Sequence, residues 1–149
     1  MKKENVLDFN DFLSNLKLNK FDKEIRCAIV HNSILASKIV KDIQETFDAA
    51  RKRFNEENET EIELLVKYRD QYSTATAEEK VSIVKSIEKE CFNALRAERE
   101  LNEFINNILL EDVTDEFVKI DRDSFIDQCA EADIDITAKM LENLVELFK

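Results

Sequence analysis

Apolar residues recur every three or four positions along most of the chain, which is the spacing that places side chains on one face of an α-helix. Residues 8–18 are the first example, with Phe9, Phe12, Leu13 and Leu16 on one side. Acidic or amide side chains near residue 8 are suitable as an N-cap. This segment therefore predicts a short leading helix.

The longest apolar stripe begins at Phe21 and continues in steps of three and four. Its members are Phe21, Ile25, Ala28, Ile29, Asn32, Leu35, Ala36, Ile39, Ile43, Phe47, Ala50 and Phe54. This spacing is typical of a coiled-coil seam and predicts a long helix; if it is unbroken to about residue 57, its length is about 55 Å. Asn32 is the polar member of the stripe. Either it is buried and fixes register or oligomeric state at a cost in stability, or the stripe drifts and leaves it half exposed.

A second long stripe is predicted to begin near Thr76. The polar residues 55–60 form a loop or an exposed helical turn, and the helical period resumes from Ile62 to Tyr72. Thr76 followed by Glu79 has the form of a capping box, so a new helix starts there. Its stripe, residues 81–108, predicts a helix of about thirty residues. The 21–54 and 81–108 stripes are expected to fold back as an antiparallel hairpin, because each has one apolar face and no other partner of comparable length.

The last forty residues change character. Val and Ile alternate with polar residues over 113–120, which predicts a short strand, and residues 133–136 form a second extended piece. The two pieces are expected to pair with each other or with another chain, because an isolated strand cannot satisfy its edge. Asp121 and Thr137 are predicted to cap two short helices.

The predicted fold is therefore mainly α. It is a long antiparallel helical hairpin with a small C-terminal α+β cap, made of a short strand and short helices. We expect one structural domain, in which residues 1–110 form the hairpin with its leading helix and residues 111–149 form an acidic cap.

Composition removes several classes of function. The chain has 149 residues and contains no glycine and no proline. Glycine-rich phosphate loops and dinucleotide fingerprints are therefore impossible. The three cysteines are far apart and form no C-x-x-C pair, so neither a disulfide framework nor a zinc knuckle is expected. The N-terminus has no apolar signal region, and no apolar run is long enough to span a membrane. We expect no cofactor and no metal.

The charge is concentrated at one end of the sequence. The net charge is −11 for the chain, and residues 97–149 carry −10 of it. Such a surface repels nucleic-acid phosphates, which argues against direct DNA or RNA binding. It either faces a basic protein surface or keeps the protein soluble.

Cys27 and His31 are one helical turn apart and are the main candidates for catalysis. A nucleophilic pair needs both side chains in one cleft with a group that orients the histidine. Both residues lie beside the long apolar stripe rather than in a loop, so a semi-buried structural pair is the favoured interpretation.

Two charged clusters have simpler interpretations than a binding site. Asp121, Asp123 and Asp127 lack the ligand spacing of a calcium loop, and a helix N-cap is favoured. The basic triplet at 51–53 is followed at once by acidic residues that cancel its field.

The order of segments resembles a known family. A Leu-x-Leu step at residues 16–21 precedes the long helix, and Val66-Lys67-Tyr68 follows it. The run at 100–105 ends the second helix, and an acidic-leucine tail spans 141–148. From about residue 12 to the end, this pattern is similar to a family of small tailed-phage proteins of unknown function. Members usually carry glycine after the Lys-Tyr pair, where this chain has Arg69. The resemblance implies a phage gene for structure or morphogenesis, and it implies no site residues.

The sequence thus predicts a non-enzymatic phage virion or morphogenesis protein that acts through protein–protein contacts. The predicted interface residues are Asn32, Glu111, Asp112, Phe117 and Val118. Expected partners are other phage structural proteins, a basic protein surface or further copies of the chain, and neither nucleic acid nor membrane. The expected location is the virion or the host cytoplasm. The alternative is an acidic DNA mimic that inhibits a host nuclease or restriction enzyme.

Overall fold

The computed structural model describes residues 1–149 and is mainly helical, which confirms the predicted class. The helices are α1 (Lys3–Ser14), α2 (Lys23–Glu57), α3 (Glu59–Thr74), α4 (Ala77–Glu90), α5 (Phe92–Leu109), α6 (Arg122–Glu131) and α7 (Ala138–Asn143). Two short 3₁₀ helices cover Leu18–Lys20 and Val145–Leu147. No helix combines the length and the apolar character needed to cross a membrane.

Helix α2 confirms the longest predicted element. It is one helix of 35 residues, and the stripe positions from Ile25 to Ile43 supply its buried face. Asp22 caps its start, because its Oδ1 accepts the N–H of Ile25 at 2.9 Å. This bond is the main reason that the pKa of Asp22 is held below its ordinary value. The apolar face is buried only over the first two thirds of the helix.

The predicted second long helix is divided in two at Cys91. In a continuous helix the N–H of Ala94 would donate to the carbonyl of Glu90. Here it donates to Oε2 of Glu61 at 2.8 Å, and the side chain of Asn93 donates to the other oxygen at 2.9 Å. The Glu61 carboxylate, which belongs to α3, therefore caps a new helix, α5. The predicted single helix of about thirty residues is wrong.

Helices α3 and α4 form a short hairpin around the predicted turn. Thr76 Oγ1 accepts the N–H of Glu79 at 3.4 Å, and Glu79 Oε2 accepts the N–H of Thr76 at 2.8 Å, which confirms the capping box. Further along the arms, Tyr68 contacts Glu90. The wider hairpin between the 21–54 and 81–108 stripes stays a prediction.

The chain divides into two compact units, each with its own buried side chains. One unit comprises Met1–Gln44 and Ile108–Lys149, and the other comprises Glu45–Asn107. This differs from the predicted boundary at residue 110, because α1 packs against α7 and the last 42 residues share a core with the N-terminus. The first unit buries Val6, Phe9, Leu13, Ile29, Phe125, Leu144 and Leu147; the second buries Leu65, Cys91 and Ala94.

Neither predicted extended piece is a β-strand. Residues 113–120 lie between two isolated bridges, an antiparallel one joining Lys2 to Asp112 and a parallel one joining Ile120 to Phe148. Residues 133–136 instead end helix α6: Asp133 has a φ of 54°, and the N–H of Ile134 donates back to the carbonyl of Cys129 at 2.9 Å. An aspartate takes the left-handed position that glycine usually fills at a helix end. The two pieces therefore do not pair with each other.

Candidate functional site

The segment that follows α5 is fixed at its start to the N-terminus of the chain. Lys3 N–H donates to the carbonyl of Glu111 at 3.0 Å, and Val113 N–H donates to the carbonyl of Met1 at 2.8 Å. Lys2 Nζ lies 2.9 Å from Asp112 Oδ2, and this contact lowers the pKa of Asp112. Two predicted interface residues, Glu111 and Asp112, thus have partners within the chain.

Asn32 holds the middle of the segment. Its Nδ2 donates to the carbonyl of Val118 at 2.9 Å, and its Oδ1 accepts the N–H of Val118 at 2.8 Å. The side chain is fully buried, with 0% exposure. A carboxamide has the same donor and acceptor as a peptide group, so Asn32 pairs with Val118 as a neighbouring strand would. The burial of Asn32 is therefore confirmed, and the structure shows that it positions a segment of its own chain; a role in oligomeric state stays a prediction.

The far end of the segment is attached to the C-terminus. Ile120 N–H donates to the carbonyl of Leu147 at 2.8 Å, and Lys149 N–H donates to the carbonyl of Ile120 at 2.9 Å. Between the two anchors, the ring of Phe117 meets the ring of Phe9 edge-on, with centroids 5.5 Å apart. The segment is thus held by backbone bonds at residues 113, 118 and 120.

The backbone between these anchors has no hydrogen-bond partner at residues 114–117 and 119. Bonded Val118 and Ile120 alternate with unbonded Phe117 and Lys119, which is the period of two of an extended chain. The N–H and C=O groups of Phe117 and Lys119 therefore point away from the anchoring elements. The side chain of Val118 is 41% exposed. We call residues 114–119 the open edge; the chain bends at Asp115, so the straight part of this edge begins at Glu116.

A groove of about 590 Å³ lies beside the open edge. Its lining residues are Lys23, Glu24, Cys27, Ala28 and His31 of α2, together with Val118 and Lys119. The groove is open to the surface. Ala28 is buried and forms an apolar floor, while Lys23 and Lys119 bring positive charge.

Cys27 and His31 are both exposed, so the interpretation of a semi-buried pair is wrong. They share the groove with the carboxylate of Glu24, as the enzymatic alternative required. No hydrogen bond joins the three side chains, and Glu24 Oε1 lies 3.9 Å from Lys149 Nζ. The other two cysteines are buried, and burial raises the pKa of Cys129 to about 11.

In the two charged clusters noted in the sequence, Asp121 and the basic triplet at 51–53 make contacts within their own helices. Asp121 caps α6, since its Oδ1 accepts the N–H of Ser124 at 2.9 Å. The basic triplet forms ion pairs with acidic residues of its own helix, the shortest being the 2.7 Å contact of Arg53 Nε with Glu57 Oε1. No group of three or more histidine, cysteine or carboxylate side chains gathers at metal-ligating distance.

No protein-family model matches the chain, and no curated protein or solved structure matches it either. The open edge and the groove together present unpaired backbone groups, an exposed valine, two lysines without an ion pair and the carboxylate of Glu24 on one surface of the first unit.

Proposed function

We propose that this protein is a non-enzymatic component of a phage virion, or of virion assembly, and that it acts through protein–protein contacts. The observation that carries the proposal is the open edge. Exposed and unpaired N–H and C=O groups on a firmly held segment are the feature that β-augmentation uses to bind an extended chain. The phage context comes from the resemblance in the order of segments.

The anchoring of the open edge supports a binding role. A loop that orders only on binding loses conformational entropy at that moment, which weakens the complex. Here the bonds at residues 113, 118 and 120 hold the segment in place beforehand. A buried asparagine on a helix seam costs stability. That Asn32 is used to hold Val118 fits a role in which the position of the open edge is important.

The apolar stripes supply a second type of contact in the same proposal. In the second unit, Val81 is 57% exposed, Val84 is 42% exposed and Phe104 is 42% exposed. Helices of this kind pack laterally through their apolar faces. Side-by-side packing between neighbouring copies through the 81–108 stripe therefore belongs to the same function. The 21–54 stripe is buried within its own chain from Ile25 to Ile43, so only the part beyond Ile43 can take part.

Mass spectrometry of purified particles tests the proposal when it is combined with an edge-blocking variant. Proline at position 119 removes an N–H that makes no internal bond, so it blocks pairing at the open edge and leaves the anchors in place. Lys119→Ala is the matched control, because both substitutions remove the contact of Lys119 Nζ with the Glu146 carbonyl. We expect wild type in particles, Lys119→Ala in particles at an equal or reduced level because its backbone can still pair, and Lys119→Pro to be excluded.

Two other outcomes would overturn this function. Absence of the wild-type protein from particles and assembly intermediates, with a basic nuclease recovered as its partner, would support the acidic DNA mimic; the charge of −10 over residues 97–149 is the feature that favours it. Loss of function in a Cys27→Ala, His31→Ala double variant that is still incorporated would support an enzyme.

A further inference from the structure

We infer that the open edge pairs with the open edge of a second copy of this chain, as an antiparallel two-stranded ladder about a two-fold axis at Phe117. The inference rests on the proposed contact function and names the partner. It follows from the unpaired backbone, from the order of unmatched charges and from the groove beside Val118.

The charges along the segment are only partly matched within one chain. Glu111 and Asp112 pair with lysines at the N-terminus. Asp115 and Glu116 are exposed and take part in no ion pair. The ammonium group of Lys119 donates to the neutral carbonyl of Glu146 and is paired with no carboxylate. Unmatched negative charge therefore precedes Phe117, and unmatched positive charge follows it.

Antiparallel pairing of two identical edges reverses this order and places opposite charges together. With the two-fold axis at Phe117, Asp115 of one copy, at the bend where the straight part of the segment begins, comes beside Lys119 of the other, and the same pair forms again on the opposite side. Oppositely charged cross-strand neighbours stabilise a ladder, and like charges destabilise it. An axis at Val118 would instead place Asp115 opposite Asp121, so the charges select the register centred on Phe117.

The backbone geometry agrees with this register. Phe117 and Lys119 have the outward-pointing N–H and C=O groups, and residues with outward groups form the hydrogen-bonded pairs of an antiparallel ladder. The central pair is then Phe117 with its own symmetry mate, which exchanges two backbone bonds. An interface of this kind is isologous and closes at two copies.

The groove accounts for the remaining unmatched carboxylate. In this register Glu116 of the second copy faces Val118, and directly opposite residues have their side chains on the same face of a ladder. Val118 lines the groove together with Lys23 and His31. The carboxylate of Glu116 thus enters a groove that carries Lys23, which has no ion pair within its own chain, and Glu24, whose Oε1 lies 3.9 Å from Lys149 Nζ.

The size of the contact sets the strength of the complex. A ladder of about four residues per copy, 116–119, buries well under the roughly 800 Å² per partner of a stable complex. The dimer is therefore expected to be concentration-dependent. In an assembly, this weak contact would act together with other contacts between the same copies, which raise the effective concentration of the two edges.

Sedimentation equilibrium of the full chain over a concentration series tests the inference with charge-swap variants. We expect a monomer–dimer equilibrium for the wild type. Asp115→Lys and Lys119→Asp each lower the association constant by about tenfold, because each creates two like-charge pairs across the axis. The double variant with both substitutions restores association. Asp123→Lys makes the same change of charge on exposed α6, outside the open edge, and should not weaken the dimer. Circular dichroism confirms that each variant is folded.

The outcomes separate this inference from the function on which it rests. A wild type that is monomeric at every concentration, or a double variant that fails to restore association, overturns self-pairing. If Lys119→Pro is nevertheless excluded from particles, the contact function stands and the partner is another protein. If the dimer forms and Lys119→Pro is incorporated normally, self-pairing stands and the proposed role of the edge in assembly is wrong.

Discussion

Replacing Asn32 with leucine is the sharpest test of how the open edge is held. Leucine has a similar size but removes both hydrogen bonds to Val118, whose N–H and C=O then face α2 without a partner. An unsatisfied buried backbone group costs about 1–3 kcal/mol. Because Val118 is partly exposed and water can reach it, we expect a total loss near the lower end, about 2–4 kcal/mol in the free energy of unfolding.

This loss is large for a chain of 149 residues, since folded domains are stable by only about 5–15 kcal/mol. The assay is urea unfolding followed by circular dichroism, together with hydrogen exchange at the Val118 amide. That amide should be protected in the wild type and exchange freely in the variant. Asn55→Leu is the matched control, because Asn55 is exposed on the same helix and its replacement should change stability by less than about 0.5 kcal/mol. If Asn32→Leu behaves like the control and Val118 stays protected, the account of Asn32 is wrong.

Three further predictions concern the rest of the molecule. In the folded protein, Cys27 should react with a thiol reagent while Cys129 does not, because Cys129 is buried with its pKa raised to about 11; equal labelling of both, measured by mass spectrometry, would contradict this. Phe125→Ala should cost about 3–5 kcal/mol in urea unfolding, because this ring is fully buried against two other aromatic rings, and a loss below about 1 kcal/mol would refute that core. The pKa of Glu61 is lowered from its ordinary 4.5, first by the hydrogen bond from the Ala94 N–H and second by the bond from the Asn93 side chain. The ionised Glu61 carboxylate therefore contributes to the stability of the fold above pH 4.5, and this contribution is lost as the pH falls through the lower pKa of the folded state. The stability difference between wild type and Glu61→Gln should therefore shrink on acidification to about pH 3, and a constant difference would show that the Glu61 charge is not involved.

Features that depend on neighbouring residues were predictable from the sequence. The steps of three and four along α2 and the Thr76–Glu79 capping box are local signals, and the structure has both. The polar position of Asn32 on the seam was also visible. Its partner was not, because Val118 lies 86 residues away and nothing in the local pattern links them.

The errors came from long-range contacts that override local pattern. The apolar period continues through Cys91, but the carboxylate of Glu61 takes the amide of Ala94 and ends the helix. Residues 113–120 alternate as a strand does, yet their partners are the chain termini and one side chain, so no sheet forms. Sequence spacing placed Cys27 beside the seam without showing that Val118 and Lys119 border it to form a groove.

Hydrogen exchange at three consecutive amides, followed by nuclear magnetic resonance, tests the central claim most directly. In dilute protein, the Val118 amide should exchange slowly because Asn32 accepts its proton, while the amides of Phe117 and Lys119 exchange fast. At high concentration the amides of Phe117 and Lys119 should become protected as the second copy binds. Equal exchange at all three amides in dilute protein, or no change at Phe117 and Lys119 with concentration, would contradict a firmly held edge that pairs with its own copy.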